Sequence, residues 1–195
     1  PVFCTSLAQL PDGRHLVFTG SSDGAVAAWD LSGWPPAHLS SGDDAPAAKS
    51  ATVVHQLRPS LCLPASHLSG VNALSSSVTG QHVVLVSAGD DQSLQVTWLE
   101  TTGGNARNSS TAAALGLRQA ASTAVPLAHS SAVRGVWTDG CLAMSVGLDQ
   151  RLKVWELSGP GSDVVTGGAE SNHTPSCRLV ARATVSVLEP STMEV

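Results

Sequence analysis

Three side chains between residues 129 and 149 are of types that can carry out hydrolysis. His129, Ser145 and Asp149 match the base, nucleophile and carboxylate of a serine hydrolase, in which histidine takes the proton of the serine hydroxyl and the carboxylate orients the histidine. Trp155 follows shortly afterwards. The segment around Ser145 carries neither a nucleophile elbow nor an oxyanion-hole loop. A hydrolase therefore remains an alternative that only the three residue types support.

The same residue types recur earlier in the chain, which favours a structural role for them. The equivalents are His67, Ser87 and Asp91 in a middle segment, and Thr19, Asp23 and Trp29 in the first segment. A nucleophile is needed once, whereas a structural cluster recurs with each repeated unit. Buried polar groups must be satisfied, and a complete network is strengthened in a low dielectric. We therefore expect a buried hydrogen-bond cluster and no enzymatic activity.

Short strands separated by tight turns are predicted to position these residues. In the last segment we expect strands over 132–137, 141–146 and 152–157, with Asp139-Gly140 as a hairpin turn. Residues 141–146 are almost wholly apolar, so we expect this strand to be covered on both faces and Cys141 to be a small core residue. Trp137 is expected to pack against a neighbouring sheet, and Trp34, in a Pro-rich loop, to contact a partner.

The two earlier segments have the same organisation. Their predicted strands are 3–10, 16–19 and 25–31, then 71–75, 83–87 and 94–99. An outer strand is expected after each segment, within 52–63, 120–127 and 178–188. Pro59 suits an edge strand, and an Ala-rich helix over 111–121 is the competing interpretation before the second of them. Irregular insertions are predicted at about 32–50, 101–114 and 158–175.

A unit of short strands with Asp in a turn and Trp six residues later resembles the WD40 repeat. The resemblance implies an all-β fold, a partial WD40 β-propeller of about three four-stranded blades over residues 1–195, with copies at about 3–31, 67–100 and 129–157. In WD40 repeats, residues at these positions form a network in which Trp donates to Ser or Thr, the hydroxyl bonds to His, and His bonds to Asp. Three copies make an arc, because rings contain about four to eight blades. Since the sequence starts at Pro1, we interpret it as a C-terminal fragment.

Composition excludes several other classes of protein. The hydrophobic content of 42% is ample for a core, and the net charge of −5 gives no general attraction to nucleic acid or to an anionic membrane. No apolar run is long enough to span a bilayer. The four cysteines form no Cys-x-x-Cys pair, so a zinc site is not expected. No other metal site and no cofactor are expected either.

The segments VPLAHSSAVRGV and SVGLDQRLKVWEL, with the earlier HLSGVNAL and LVSAGDDQSLQV, resemble the C-terminal part of the WD-repeat-containing protein six family. In that family the propeller is the non-catalytic subunit of a tRNA wobble 2′-O-methyltransferase. The resemblance covers about residues 67–157. It implies a cytoplasmic scaffold whose partners are the methyltransferase subunit and tRNA, with S-adenosylmethionine bound by the other chain. A WD40 adaptor in another assembly is the alternative.

Overall fold

A computed structural model of the chain describes residues 1–31, 57–80, 82–102, 116–160 and 177–186. These residues form twelve strands in three antiparallel sheets of four strands each, so the predicted all-β fold class is confirmed. Within the described ranges no helix is long and apolar enough to cross a bilayer.

Each sheet is built from strands that follow one another along the chain. The first sheet contains β1 (Val2–Gln9), β2 (His15–Ser21), β3 (Val26–Asp30) and β4 (Leu61–Leu63). The second contains β5 (Val71–Thr79), β6 (His82–Gly89), β7 (Leu94–Thr102) and β8 (Gly116–Val125). The third contains β9 (Val133–Thr138), β10 (Leu142–Gly147), β11 (Arg151–Ser158) and β12 (Arg178–Ser186). In every sheet, sequence neighbours are hydrogen-bonded neighbours, as expected where tight turns join short strands.

The second sheet lies between the other two and is covered on both faces. In β6, residues 83–89 are all buried. Because successive side chains of a strand point to opposite faces, Val83 and Leu85 pack into a core cluster with Leu16 and Phe18 of the first sheet. Val84 and Val86 pack into a second cluster with residues of the third sheet. Alternate residues of β6 thus hold the three sheets together.

The outer strands are present, although their bounds differ from prediction. The strand expected near 120–127 begins earlier, at Gly116, so residues 116–121 are strand and not helix. The outer strand of the first sheet comprises only Leu61–Leu63 within the described part of the chain. Residues predicted to start insertions, Thr101 and Ser158, instead extend β7 and β11. Trp34 and most of the predicted insertions lie outside the described residues.

The prediction that residues 141–146 would be covered on both faces is wrong. Ala143 and Ser145 are buried against the second sheet, but Leu142 and Val146, on the opposite face, are exposed, as is Cys141. Trp137 shares that face and is 47% exposed, so it does not pack against a neighbouring sheet as expected. The reason is that no described element covers this face of the third sheet.

Candidate functional site

The four residues singled out near the end of the chain lie together in one buried cluster. His129 Nε2 is 2.8 Å from Ser145 Oγ, and His129 Nδ1 is 2.9 Å from a carboxylate oxygen of Asp149. Trp155 Nε1 donates to Ser145 Oγ over 2.9 Å. The ionised carboxylate of Asp149 can only accept, so His129 Nδ1 carries the hydrogen of the neutral imidazole and donates it to Asp149. Nε2 then accepts from the Ser145 hydroxyl, whose oxygen accepts from the indole N–H of Trp155.

The backbone of the loop that carries His129 is fixed by the same carboxylate. The Ser130 N–H donates to Asp149 Oδ2 at 3.0 Å, and the Arg151 N–H donates to Oδ1 at 3.2 Å. Asp149 therefore joins the turn before β11 to the loop before β9. A glycine is required close by, because a Cβ at Gly147 would lie 2.8 Å from His129 Nδ1 and 2.9 Å from Asp149 Oδ1.

The middle copy repeats this arrangement with one change. His67 Nε2 is 2.9 Å from Ser87 Oγ, and His67 Nδ1 is 3.1 Å from both carboxylate oxygens of Asp91. Ser93, a contact that the sequence analysis missed, hydrogen-bonds Asp91 at 2.7 Å through its hydroxyl. In place of a tryptophan this copy has Thr97, while Trp98 falls one position later and packs into the core between the second and third sheets.

The first copy contains the tryptophan and the hydroxyl. Trp29 Nε1 donates to Thr19 Oγ1 over 3.0 Å. Asp23 accepts hydrogen bonds from the Ser21 hydroxyl and from the Ala25 N–H. No histidine among the described residues bonds to Asp23. The three copies thus share the turn aspartate and the hydroxyl, whereas the histidine is found in two of them.

A further contact, which the sequence analysis did not predict, links each histidine to the preceding copy. The His67 N–H donates to the Gly24 carbonyl at 3.0 Å, and the His129 N–H donates to the Gln92 carbonyl at 3.2 Å. Gly24 and Gln92 each follow the turn aspartate, and both have a positive φ, as does Gln150 at the third equivalent position. Gly24 was the available signal for this contact in the sequence, because residues with a positive φ are most often glycine. The histidine clusters therefore connect successive sheets as well as strands within one sheet.

The environment of the two clustered aspartates favours the charged carboxylate. Burial by itself raises the pKa of Asp149, but hydrogen bonds from His129 and from the backbone of Ser130 and Arg151 outweigh it and hold that pKa below its usual value. Burial also raises the pKa of Asp91. Hydrogen bonds from Ser93, the Leu68 N–H and His67 outweigh burial and lower that pKa. Both groups bind protons less readily in the folded than in the unfolded chain.

Acid is therefore expected to weaken the fold through these two carboxylates. A lowered folded-state pKa contributes stability above the unfolded pKa, near 3.8, and this contribution is lost as the pH falls through the folded pKa. Urea unfolding at neutral pH and at about pH 3 measures how far acid lowers the free energy of unfolding. This decrease should be smaller in Asp149→Asn and in Asp91→Asn than in the unsubstituted protein. Equal losses in all three proteins would contradict this assignment.

The geometry of the cluster resembles a catalytic triad, but substrate has no access to it. Ser145 and His129 are each 1% exposed. The Trp155 N–H also occupies one acceptor site on the oxygen that would have to attack. Within the described part of the chain, no group of three or more His, Cys, Asp or Glu side chains is placed to hold a metal ion. The arrangement is suited to joining backbone segments.

Comparison with known proteins agrees with this architecture. The family model described as "WD domain, G-beta repeat" matches residues 2–30 and 59–97. Among solved structures, the chain is similar to Chaetomium thermophilum Sqt1, crystallised bound to the N-terminus of the ribosomal protein L10, with a TM-score of 0.55 and 15% identity. The match covers 96% of this chain and 38% of that one. No curated protein matches the sequence. Residues 2–30 and 59–97 thus match the WD40 repeat, and the described residues form three four-stranded antiparallel sheets, an all-β architecture consistent with blades of a partial β-propeller.

Proposed function

We propose that the chain is a non-catalytic scaffold that binds other macromolecules, and that its His/Ser/Asp clusters hold the blades together. The observation that carries this proposal is the burial and repetition of the cluster: the same Ser–His–Asp contacts occur around His67 and around His129, and both histidine side chains are fully buried. A reaction centre requires access for substrate, whereas a buried network that recurs in successive blades serves the fold.

The more specific proposal is support of tRNA 2′-O-methylation at the wobble position. The resemblance of residues 67–157 to the WD-repeat-containing protein six family supports it. In this role the chain binds the methyltransferase subunit and tRNA in the cytoplasm, and S-adenosylmethionine binds the other subunit. With a net charge of −5, the chain has no general attraction to tRNA, so tRNA binding requires specific contacts in the assembled complex.

The second candidate is a protein-binding adaptor in a different assembly. It is favoured by the fold itself, which Sqt1 shares while bound to the N-terminus of a ribosomal protein. Folds of this kind host many unrelated functions, so the fold does not distinguish the two candidates. The binding partner that co-purifies with the protein does.

Affinity capture with the tagged protein from a cell extract tests the proposal. We expect co-purification of a tRNA ribose methyltransferase and of tRNA, and a rise in wobble-position methylation when the purified protein is added to that methyltransferase. Ser145→Ala should leave this stimulation intact at temperatures where the variant is folded. Recovery of neither the methyltransferase nor tRNA would refute the tRNA proposal, and recovery of another stable assembly would select the adaptor.

A further inference from the structure

The face of the third sheet that is turned away from the second sheet is apolar, and no described residue of another sheet covers it. Three of its strands contribute to what we name the third outer face, which consists of Trp137, Leu142, Met144, Val146 and Val154. Trp137, Leu142 and Val146 are exposed, and the other two are partly exposed. A contiguous apolar surface of this kind marks a site of interaction with another macromolecule.

The first sheet has an uncovered face of its own, at the other end of the row of sheets. Leu16 and Phe18 of β2 face the second sheet, so the residues that alternate with them point the other way. These residues and their cross-strand neighbours form the first outer face, which consists of Leu7, Val17, Ala27 and Trp29. Leu7 is 60% exposed. Neither outer face contains a charged residue, so the two faces do not repel each other.

The two outer faces are equivalent to the two surfaces that meet wherever one sheet packs on the next. The residue directly before the hydroxyl of each copy is Phe18, Val86 or Met144, and the residue before that is Val17, Leu85 or Ala143. Phe18 and Val86 are buried against the following sheet, whereas Met144 lies on the third outer face. Leu85 and Ala143 are buried against the preceding sheet, whereas Val17 lies on the first outer face. Each outer face is therefore one half of a junction, and the other half lies at the opposite end of the chain.

One pair of positions on the inner strands distinguishes the outer faces from the two junctions within the chain. At both junctions these positions carry hydroxyl side chains, Ser6 and Ser76 at the first and Ser75 and Thr138 at the second. Ser6 Oγ is 2.8 Å from Ser76 Oγ, and Ser75 Oγ accepts from the Thr138 N–H at 3.1 Å. By strand register the equivalent residues of the outer faces are Trp137 and Leu7. Both ends thus carry a large apolar side chain where the internal junctions carry a hydroxyl, and the two apolar side chains complement each other.

We propose that two copies of this chain associate so that the third outer face of each packs on the first outer face of the other. Trp137 of one copy then contacts Leu7 of the second copy. Under two-fold symmetry this contact forms twice, so the assembly is closed. Two copies of three sheets give six sheets, within the range of about four to eight blades in closed rings. This self-association goes beyond the scaffold function and does not depend on which macromolecule the scaffold binds.

Light scattering of the full chain during size-exclusion chromatography, over a series of dilutions, tests the proposal. We expect twice the mass of a single chain. Trp137→Ser and Leu7→Ser, which introduce the residue type found at the internal junctions, should each weaken association about tenfold or more, because an apolar contact within the interface is lost. Leu68→Ser is the matched control, since Leu68 is 95% exposed but lies between β4 and β5, outside both outer faces. It should leave association unchanged.

Mixing two charged variants tests which faces meet. Leu7→Glu and Trp137→Arg should each be single chains when alone, and they should form a dimer when mixed, because the mixed pair keeps one unaltered junction and has opposite charges at the other. Circular dichroism should show every variant folded at dilutions where the unsubstituted protein is also a single chain. A single chain at all concentrations, as expected if other sheets cover these faces, would overturn the proposal. So would assemblies larger than a dimer, association that is insensitive to both serine substitutions, or no dimer on mixing. Capture of the methyltransferase by a single chain would still support the scaffold function.

Discussion

Replacement of Trp155 with alanine is expected to lower the free energy of unfolding by about 3–5 kcal/mol, the range for removal of a large buried aromatic side chain. Trp155 is 3% exposed and packs in the core between the second and third sheets with Val86, Val96 and Val133. The substitution removes this packing, and it also removes the N–H that donates to Ser145. Chemical denaturation, followed by circular dichroism, measures the change.

Trp137→Ala provides the matched comparison on the same sheet. Trp137 lies on β9 with nearly half of its surface exposed, and no described residue accepts a hydrogen bond from its indole nitrogen. Its replacement should cost clearly less than that of Trp155, because less apolar area is returned to water. Equal losses for the two variants would contradict the assignment of Trp155, and not Trp137, to the interior.

Replacement of His129 with alanine is expected to destabilise the protein by at least about 2 kcal/mol, because two buried groups lose a hydrogen-bond partner at about 1–3 kcal/mol each. The Asp149 side chain is only 5% exposed, so its carboxylate would stay buried without the Nδ1 donor. Ser145 would lose the acceptor of its hydroxyl proton. The N–H groups of Ser130 and Arg151 still bond to the carboxylate and limit the loss.

His82→Ala is the control for the His129 variant, because His82 also faces a carboxylate. His82 Nε2 lies 3.5 Å from Glu100, and both side chains are about a third exposed. Exposed pairs of this kind contribute at most about 1 kcal/mol. If His82→Ala and His129→Ala lower the unfolding midpoint by similar amounts, the buried hydrogen bonds of His129 do not stabilise the fold more than an exposed pair does.

The sequence predicted the strands well because alternation of apolar and polar residues is a local signal. In β2, Leu16 and Phe18 are buried while His15 is exposed, as a period of two requires. The faces of β10 could not be predicted in this way. The apolar run at 141–146 shows which residues can be buried, but burial of Leu142 and Val146 depends on whether another element packs there.

The candidate site was predictable in residue type and less so in its connections. Repetition of His, Ser and Asp predicted that His129, Ser145 and Asp149 share a cluster, and these residues are in contact. The carbonyl of Gln92 that accepts from the His129 N–H was not predictable, because glutamine gives no sign of a left-handed backbone. The strand pairing skips Phe3 in β1, Asn72 in β5 and Arg134 in β9. These bulges were equally hidden, since one unpaired residue leaves the apolar pattern of a strand almost unchanged.

The most direct test of the structural role of the clusters is a double-mutant cycle on His129 and Asp149. Unfolding free energies would be measured for His129→Ala, for Asp149→Ala and for the double variant. We expect Asp149→Ala to cost about 1–3 kcal/mol, because it leaves the buried Nδ1–H unpaired, and we expect the double variant to cost less than the two single losses combined by about 0.5–3 kcal/mol. Losses that simply add, or an Asp149→Ala variant that unfolds like the unsubstituted protein, would show that the carboxylate does not hold the blades together through His129.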